Sequence, residues 1–288
     1  MKEEYFRMFE INNLSKKFHK RQVLDSVNLK LEEAGIYGLL GENGTGKTTL
    51  MRCILGLYPI NEGKISWNGE SVFENKEFYK KVGYLPQEFS GLKMLKVKEF
   101  LDYFADYKGL PKSEKSAEID KVLKMVNLQD RANDKVKSLS GGMRRRLGIA
   151  QAFMGNPEMI LLDEPTVGLD PKERLRFQGM VSEYRNSDTT IILSTHIVSD
   201  IETLCDKIIV MKQGDVLGVY TTKELANMAS DKTYLVSEEM YEKIQDEVTL
   251  ISQTWRKEEK VIRVLSDKPV GEKVENTTVE DGYMWITR

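Results

Sequence analysis

Residues 41–49 read GENGTGKTT: three glycines, three threonines and one lysine in nine positions, directly after the apolar run GIYGLL. So many small and turn-forming residues weaken helix and strand alike, so a particular backbone shape is required here. Residues 41–48 fit G-x-x-x-x-G-K-[ST], and they stand where a buried strand gives way to a helical pattern, the context a phosphate-wrapping loop needs. Around Gly44 and Gly46, backbone N–H groups converge on a polyanion only if no Cβ intrudes. Gly41, Glu42, Asn43 and Thr45 complete the loop, and the helix start adds partial positive charge. Lys47 can reach β- and γ-phosphates, the Thr48 hydroxyl can ligate Mg²⁺, and Thr49 follows in the same turn. The chemistry implied is the holding of a nucleoside triphosphate with its magnesium ion.

A second acidic group suits that chemistry. In MILLDEP, four apolar residues form a buried strand that ends in Asp163 and Glu164. A carboxylate at a strand end beside the loop can hold Mg²⁺, directly or through water. Glu164, one residue on, is placed to take a proton from an attacking water.

The elements that must position these groups alternate. FEINNLS, VLDSVNLKLE, GIYGLL and KVGYLPQ read as strands, and KISWNGESV as a hairpin turning on Asn68-Gly69. Residues 97–136 turn helical, and SLSGG precedes a further helix, MRRRLGIAQAFMG. EMILLDEP, PKERLRFQGMVSEYR, TTIILSTH, IVSDIETLC, DKIIVMKQG and DVLGVY then alternate strand and helix again. This predicts an α/β phosphate-loop core with a parallel sheet, an antiparallel β subdomain and a helical insertion. Past residue 222 the texture shifts: TLISQTWRKEEKVIRVLSD reads as a hairpin with a charged turn, and TTVEDGYMWITR closes the chain. The expected division is an ATPase domain over 1–221, its helical subdomain at about 97–155, and a small α/β accessory domain over 222–288.

Composition excludes several classes. Hydrophobic residues make up 40%, enough for a packed core, and 43 basic against 45 acidic residues give a net charge of −2, with no global excess for nucleic acid. No apolar run approaches the roughly 18–20 residues of a membrane span, and MKEEYFRMFE lacks the apolar core of a signal peptide. The chain reads as soluble and intracellular, with Cys53 and Cys205 as two reduced core thiols.

SLSGGMRRRLGIAQA carries a family likeness. With the phosphate loop, Gln87 in YLPQ, ILLDEP, the GLD ending in Asp170, and His196 in LSTH, all in order over about residues 8–220, the sequence resembles the nucleotide-binding subunits of ABC transporters. The resemblance implies that two such domains meet head to tail, with Ser140, Gly141 and Gly142 of one completing the ATP site of the other. It further implies that Asp170 crosses that interface, that Gln87 contacts Mg²⁺ and the attacking water, and that His196 contacts γ-phosphate and the general base. Phe18 falls where the family places an aromatic against adenine. Met143 departs from the signature's usual glutamine. LSGGM-R-R and the ending NTTVEDGYMWI resemble the drug- and peptide-export branch. Arg144, Arg145 and Arg146 are expected to form an ordinary solvated helix face.

The function so implied is an ATP-hydrolysing motor subunit of an exporter at the cytoplasmic face of the membrane. Its expected partners are a second ATP-binding domain and integral membrane permease subunits, with no nucleic acid. The alternative is a soluble relative acting on nucleic acid or ribosomes; such proteins usually carry two ATP domains or a long coiled coil, and neither is seen here. Phe89, Leu92, Met94 and Leu95 either pack inside their own domain or line a groove for a cytoplasmic helix of the permease.

Overall fold

The computed structural model describes residues 8–256 and 259–288; the leading MKEEYFR and the expected charged turn at 257–258 lie outside them. The chain divides into two units, Met1–Val219 and Tyr220–Arg288.

In the first unit β1 (Phe9–Phe18) and β2 (Arg21–Leu31) pair antiparallel. Phe9, Ile11, Val27, Leu29 and Leu31 are buried, because the period of two puts alternate residues on one face. β3 (Gly35–Leu40) is buried at all six positions, as suits a central parallel strand covered on both faces. It runs through the phosphate loop into α1 (Lys47–Ile54). β4 (Glu62–Trp67) and β5 (Glu70–Ser71) make the expected hairpin: Trp67 pairs with Glu70 across Asn68 and Gly69, at φ 53° and 80°. α2 (Lys76–Lys81), capped by the Asn75 side chain, leads into β6 (Val82–Leu85).

The helical insertion holds α3 (Val97–Tyr107), α4 (Lys112–Met125) and α5 (Gly141–Phe153). Each buries one stripe: Phe100 and Leu101, then Val122 and Leu123, then Leu147 and Ala150. Alternation resumes with β7 (Met159–Asp163), α6 (Pro171–Ser182), β8 (Thr190–Thr195), α7 (Val198–Leu204), β9 (Lys207–Lys212) and β10 (Asp215–Thr221). Cys53 and Cys205 are both buried free thiols, and burial pushes the Cys53 thiol up to about 11.

Strand order explains where the chemistry collects. One sheet runs β2-β1-β4-β5, the other β10-β9-β3-β8-β7-β6. In the second, β3 is parallel to β8 and β9, and β7 to β8 and β6. Leu40 lies opposite Thr195, Asp163 opposite Ser194, and Leu85 opposite Leu162. This register ends β3, β8, β7 and β6 along one edge. The segments leaving them carry Gly41, His196, Glu164 and Gln87. Open α/β sheets bind ligands at that edge.

The second unit comprises α8 (Thr222–Asn227), β11 (Thr233–Ser237), α9 (Glu238–Ile244), β12 (Thr249–Arg256), β13 (Glu259–Leu265), β14 (Glu272–Lys273) and α10 (Val279–Thr287). Its sheet, β12-β13-β11-β14, encloses a core of Tyr234, Val236, Ile262 and Val264. Thr278 caps α10, and the fully buried Asp281 accepts the Thr278 N–H and pairs with Arg263. Because this unit has its own core, a chain ended at Thr221 is expected to melt cooperatively and to bind ATP within about threefold of the full chain. Calorimetry and fluorescent-nucleotide titration check this; loss of nucleotide binding by the folded fragment would move the domain boundary.

Candidate functional site

Two glycines set the loop. A Cβ on Gly41 would stand 2.7 Å from Thr45 Oγ1 and 2.8 Å from the Met211 carbonyl oxygen. Gly46 holds φ at 106°, and a Cβ there would meet Leu24 Cδ2 at 2.8 Å, so no other residue fits without movement. The Thr45 hydroxyl donates to the Glu42 carbonyl at 2.9 Å and stiffens the turn. Gly46 is also the N-cap of α1 and has no side chain to cap it. The first-turn N–H groups, which have no partner within a helix, are thereby left for an anion. Lys47, 6% exposed, donates through Nζ to the Gly41 and Glu42 carbonyls at 2.6 and 2.9 Å. Burial lowers its pKa, and the charges of Glu164, Asp163 and Glu42 oppose that shift.

The loop opens on a cavity of about 450 Å³. Of the sequence-predicted residues, Phe18, Asn43, Gly44, Gly46, Lys47, Thr48, Thr49, Gln87, Asp163 and Glu164 line it. Gly41, Glu42 and Thr45 build the loop from behind. Phe18 is 37% exposed, edge-on to Tyr58 at 5.1 Å, with Lys16 Nζ 4.7 Å from the centre of its ring.

Asp163 and Glu164 are buried at 1% and 5% exposure. The Ser194 hydroxyl donates to Asp163 Oδ1 at 2.7 Å and accepts the Glu164 N–H at 3.0 Å, which fixes both acids from β8. His196 Nδ1 lies 3.1 Å from each carboxylate oxygen of Glu164, with hydrogen-bond geometry to Oε1. Asp163 Oδ2 and Glu164 Oε2 remain buried with no hydrogen-bond partner among the described residues. With the Thr48 hydroxyl and the Gln87 side-chain carbonyl in the same cavity, two such oxygens make a hard-oxygen donor set, which fits a magnesium ion held with phosphate. Glu164 has φ 50°, a left-handed conformation that costs a residue with a Cβ about 1–2 kcal/mol.

Arg145 corrects the sequence reading. It is not on a solvated face but 6% exposed, and burial lowers its pKa to about 10. Its neighbours are also engaged: Arg144 donates to the Leu139 carbonyl, and Arg146 to those of Val126 and Asn127. Arg21 and Val23 line the cavity and were likewise missed; the only signal was their place just after Phe18. Ser194, in LSTH, could have been found from its alignment with the strand that ends in Asp163.

The signature residues do not join this cavity. Ser140 caps α5, its hydroxyl accepting the Met143 N–H at 3.2 Å. Ser140 and Gly141 are exposed, and nothing lies within 4 Å of a Cβ placed on Gly141. Gly142 stands near Gly168, whose carbonyl oxygen is 3.5 Å from its hypothetical Cβ. Asp170 caps α6 through the Glu173 N–H at 2.9 Å.

A parallel sheet whose edge carries a glycine-lined phosphate loop, a buried Asp-Glu pair and a histidine on that glutamate defines a phosphate-loop nucleoside triphosphatase. Residues 24–167 match the family described as "ABC transporter". The chain is 33% identical over 229 residues to a linearmycin resistance ATP-binding protein of Bacillus subtilis, covering 79% of this chain and 74% of that one. It is 36% identical over 207 residues to a Nod factor export ATP-binding protein of Burkholderia thailandensis, covering 71% and 68%. Among solved structures, an ATP-binding subunit of an ABC transporter superposes with a TM-score of 0.71 at 28% identity, over 76% of this chain and 92% of that one. A dimeric ATP-binding cassette bound to ADP and Pi after hydrolysis gives 0.68 at 26%, over 74% and 98%. The chain belongs to the ABC transporter ATP-binding family, and its activity is the hydrolysis of ATP.

Proposed function

We propose that this chain drives an exporter from the cytoplasmic face of the membrane, closing on ATP against a second ATP-binding domain while permease subunits form the cargo path. The observation that carries the reading is the separation within one copy: Ser140 and Gly141 are open to solvent and line no part of the cavity that holds Lys47 and Glu164. A second domain, facing the first head to tail, supplies what each cavity lacks. The Nod factor export relative carries a name of outward transport, which supports the direction.

In the cycle, the adenine stacks on Phe18 and the triphosphate enters the loop. Lys47 exchanges its two loop carbonyls for β- and γ-phosphate oxygens. Thr48, Asp163 and Gln87 would hold Mg²⁺, which would supply charge neutralisation to the triphosphate. Glu164 takes a proton from the water attacking γ-phosphorus, and His196 fixes that carboxylate. Ser140, Gly141 and Gly142 of the opposed domain close over the γ-phosphate, with Asp170 at the seam. Opening follows product release.

A second cavity, about 370 Å³ and lined by Leu55, Leu57, Tyr79, Phe89, Phe104 and Tyr107, is where a cytoplasmic helix of the permease docks in this reading. Leu57 is 58% exposed and Tyr107 54%, and β6 ends in the segment carrying both Gln87 and Phe89. Phe89 is half-buried, its ring 5.9 Å from that of Phe100, whereas Leu92 and Met94 are 48% and 68% exposed. Leu57→Asp and Phe89→Asp are expected to cut co-purification of the permease by about tenfold or more, since a buried charge opposes apolar docking. ATP binding by the isolated chain should not change. Full co-purification of both folded variants would put the docking surface elsewhere.

A further inference from the structure

The second turn of α5 carries a buried cation, Arg145, whose partners come from both halves of the ATP site. Arg145 Nη1 donates to the Pro86 and Gln87 carbonyls at 2.6 and 2.8 Å. Nη2 donates to the Asp163 and Glu164 carbonyls at 2.6 and 2.5 Å, and Nε to that of Pro165 at 3.3 Å. A guanidinium has five N–H groups in a rigid plane, and all five are matched to backbone oxygens. Three acceptors belong to the turn in which Glu164 adopts φ 50°, and two to the segment that presents Gln87. The same helix begins at Ser140, its N-cap.

We propose that Arg145 is a positioning residue for hydrolysis. It holds the Glu164 turn and the Gln87 segment at a fixed separation, and it fastens both to the helix that carries the signature. It touches no substrate. It acts by keeping the general base and the glutamine aligned on one water, and through α5 it ties that alignment to the surface facing the second domain. The proposal rests on the assignment of Glu164 as base. A planar fork is needed because the carbonyls diverge around it; a lysine ammonium offers three donors from one point and cannot reach both segments.

The test compares Arg145→Lys and Arg145→Gln with the unmodified chain. Both are assayed for steady-state ATP hydrolysis, fluorescent-nucleotide binding and folded fraction. Arg145→Lys keeps the charge and is the variant that reports if Arg145→Gln fails to fold. The expected result is a kcat lower by about 10–100-fold, the scale of a roughly 1 Å misplacement, with KM for ATP and nucleotide affinity within about threefold. Combining Arg145→Lys with Gln87→Ala should cost less than the product of the two separate losses, because both disturb one alignment. An unchanged kcat in the folded lysine variant would overturn the proposal, as would a loss accounted for by unfolded protein, an equal change in KM, or fully multiplicative losses. Glu164→Gln separates the two ideas. If it turns over normally, the base assignment fails; if it is inactive while Arg145→Lys is normal, only the positioning role fails.

Discussion

Glu164→Gln is expected to lower kcat for ATP by about 10²–10⁴-fold, the range over which a positioned general base accelerates proton transfer. The substitution preserves size and leaves an oxygen to face His196 Nδ1, now 3.1 Å from both carboxylate oxygens. It removes the negative charge and with it the capacity to accept a proton from water. Nucleotide affinity should stay within about threefold, since Lys47, Thr48 and the loop are untouched. Steady-state phosphate release and equilibrium titration read the two quantities separately. Hydrolysis near the unmodified rate would remove Glu164 from the base role.

Separate defects should complement. Lys47→Ala removes the cation of its own phosphate loop, and Ser140→Arg blocks the exposed N-cap offered to a partner. Each alone should reduce hydrolysis by about 100-fold or more. In a mixed dimer both defects fall in one composite site and the other is whole. Random pairing makes about half of the dimers mixed, so activity should return to a sizeable fraction of the unmodified level, well above either variant alone. Phosphate release from an affinity-isolated mixed dimer measures it. No recovery would argue that Ser140 serves its own subunit, or that one intact site cannot fire.

The phosphate loop was legible because its meaning is local. Gly41, Gly46 and Lys47 act through backbone shape and a fixed spacing, and the strand before them is buried throughout. Asn68-Gly69 was legible for the same reason: two positive φ angles select those residues. Asp163 and Glu164 could be read from an apolar strand ending in acid, but Ser194, which holds both, sits thirty-one positions past Asp163 in the chain and reaches them only through strand register. Arg145 was misread because three consecutive arginines on a helix say nothing of which one faces inward; that depends on carbonyls from two segments brought together by the sheet. The left-handed φ of Glu164 was invisible too, since glutamate does not advertise that conformation. Phe18 could be placed near the nucleotide by resemblance, but its contact with Tyr58 depends on the segment after α1 being tied to β1, where Lys16 Nζ donates to the Pro59 carbonyl. In the second unit the hairpin of β12 and β13 could be sensed from the sequence, while β11, β14 and the order β12-β13-β11-β14 could not.

The central claim is that ATP is held between two domains, each completing the other's site. Light scattering of Glu164→Gln measures it most directly, because bound ATP that is not hydrolysed should trap the closed pair. With ATP and Mg²⁺ the mass is expected to rise from the 33.1 kDa of one chain to twice that value, and to stay at one chain with ADP. A particle that remains at 33.1 kDa with saturating ATP, in a variant shown by titration to bind it, would contradict the account.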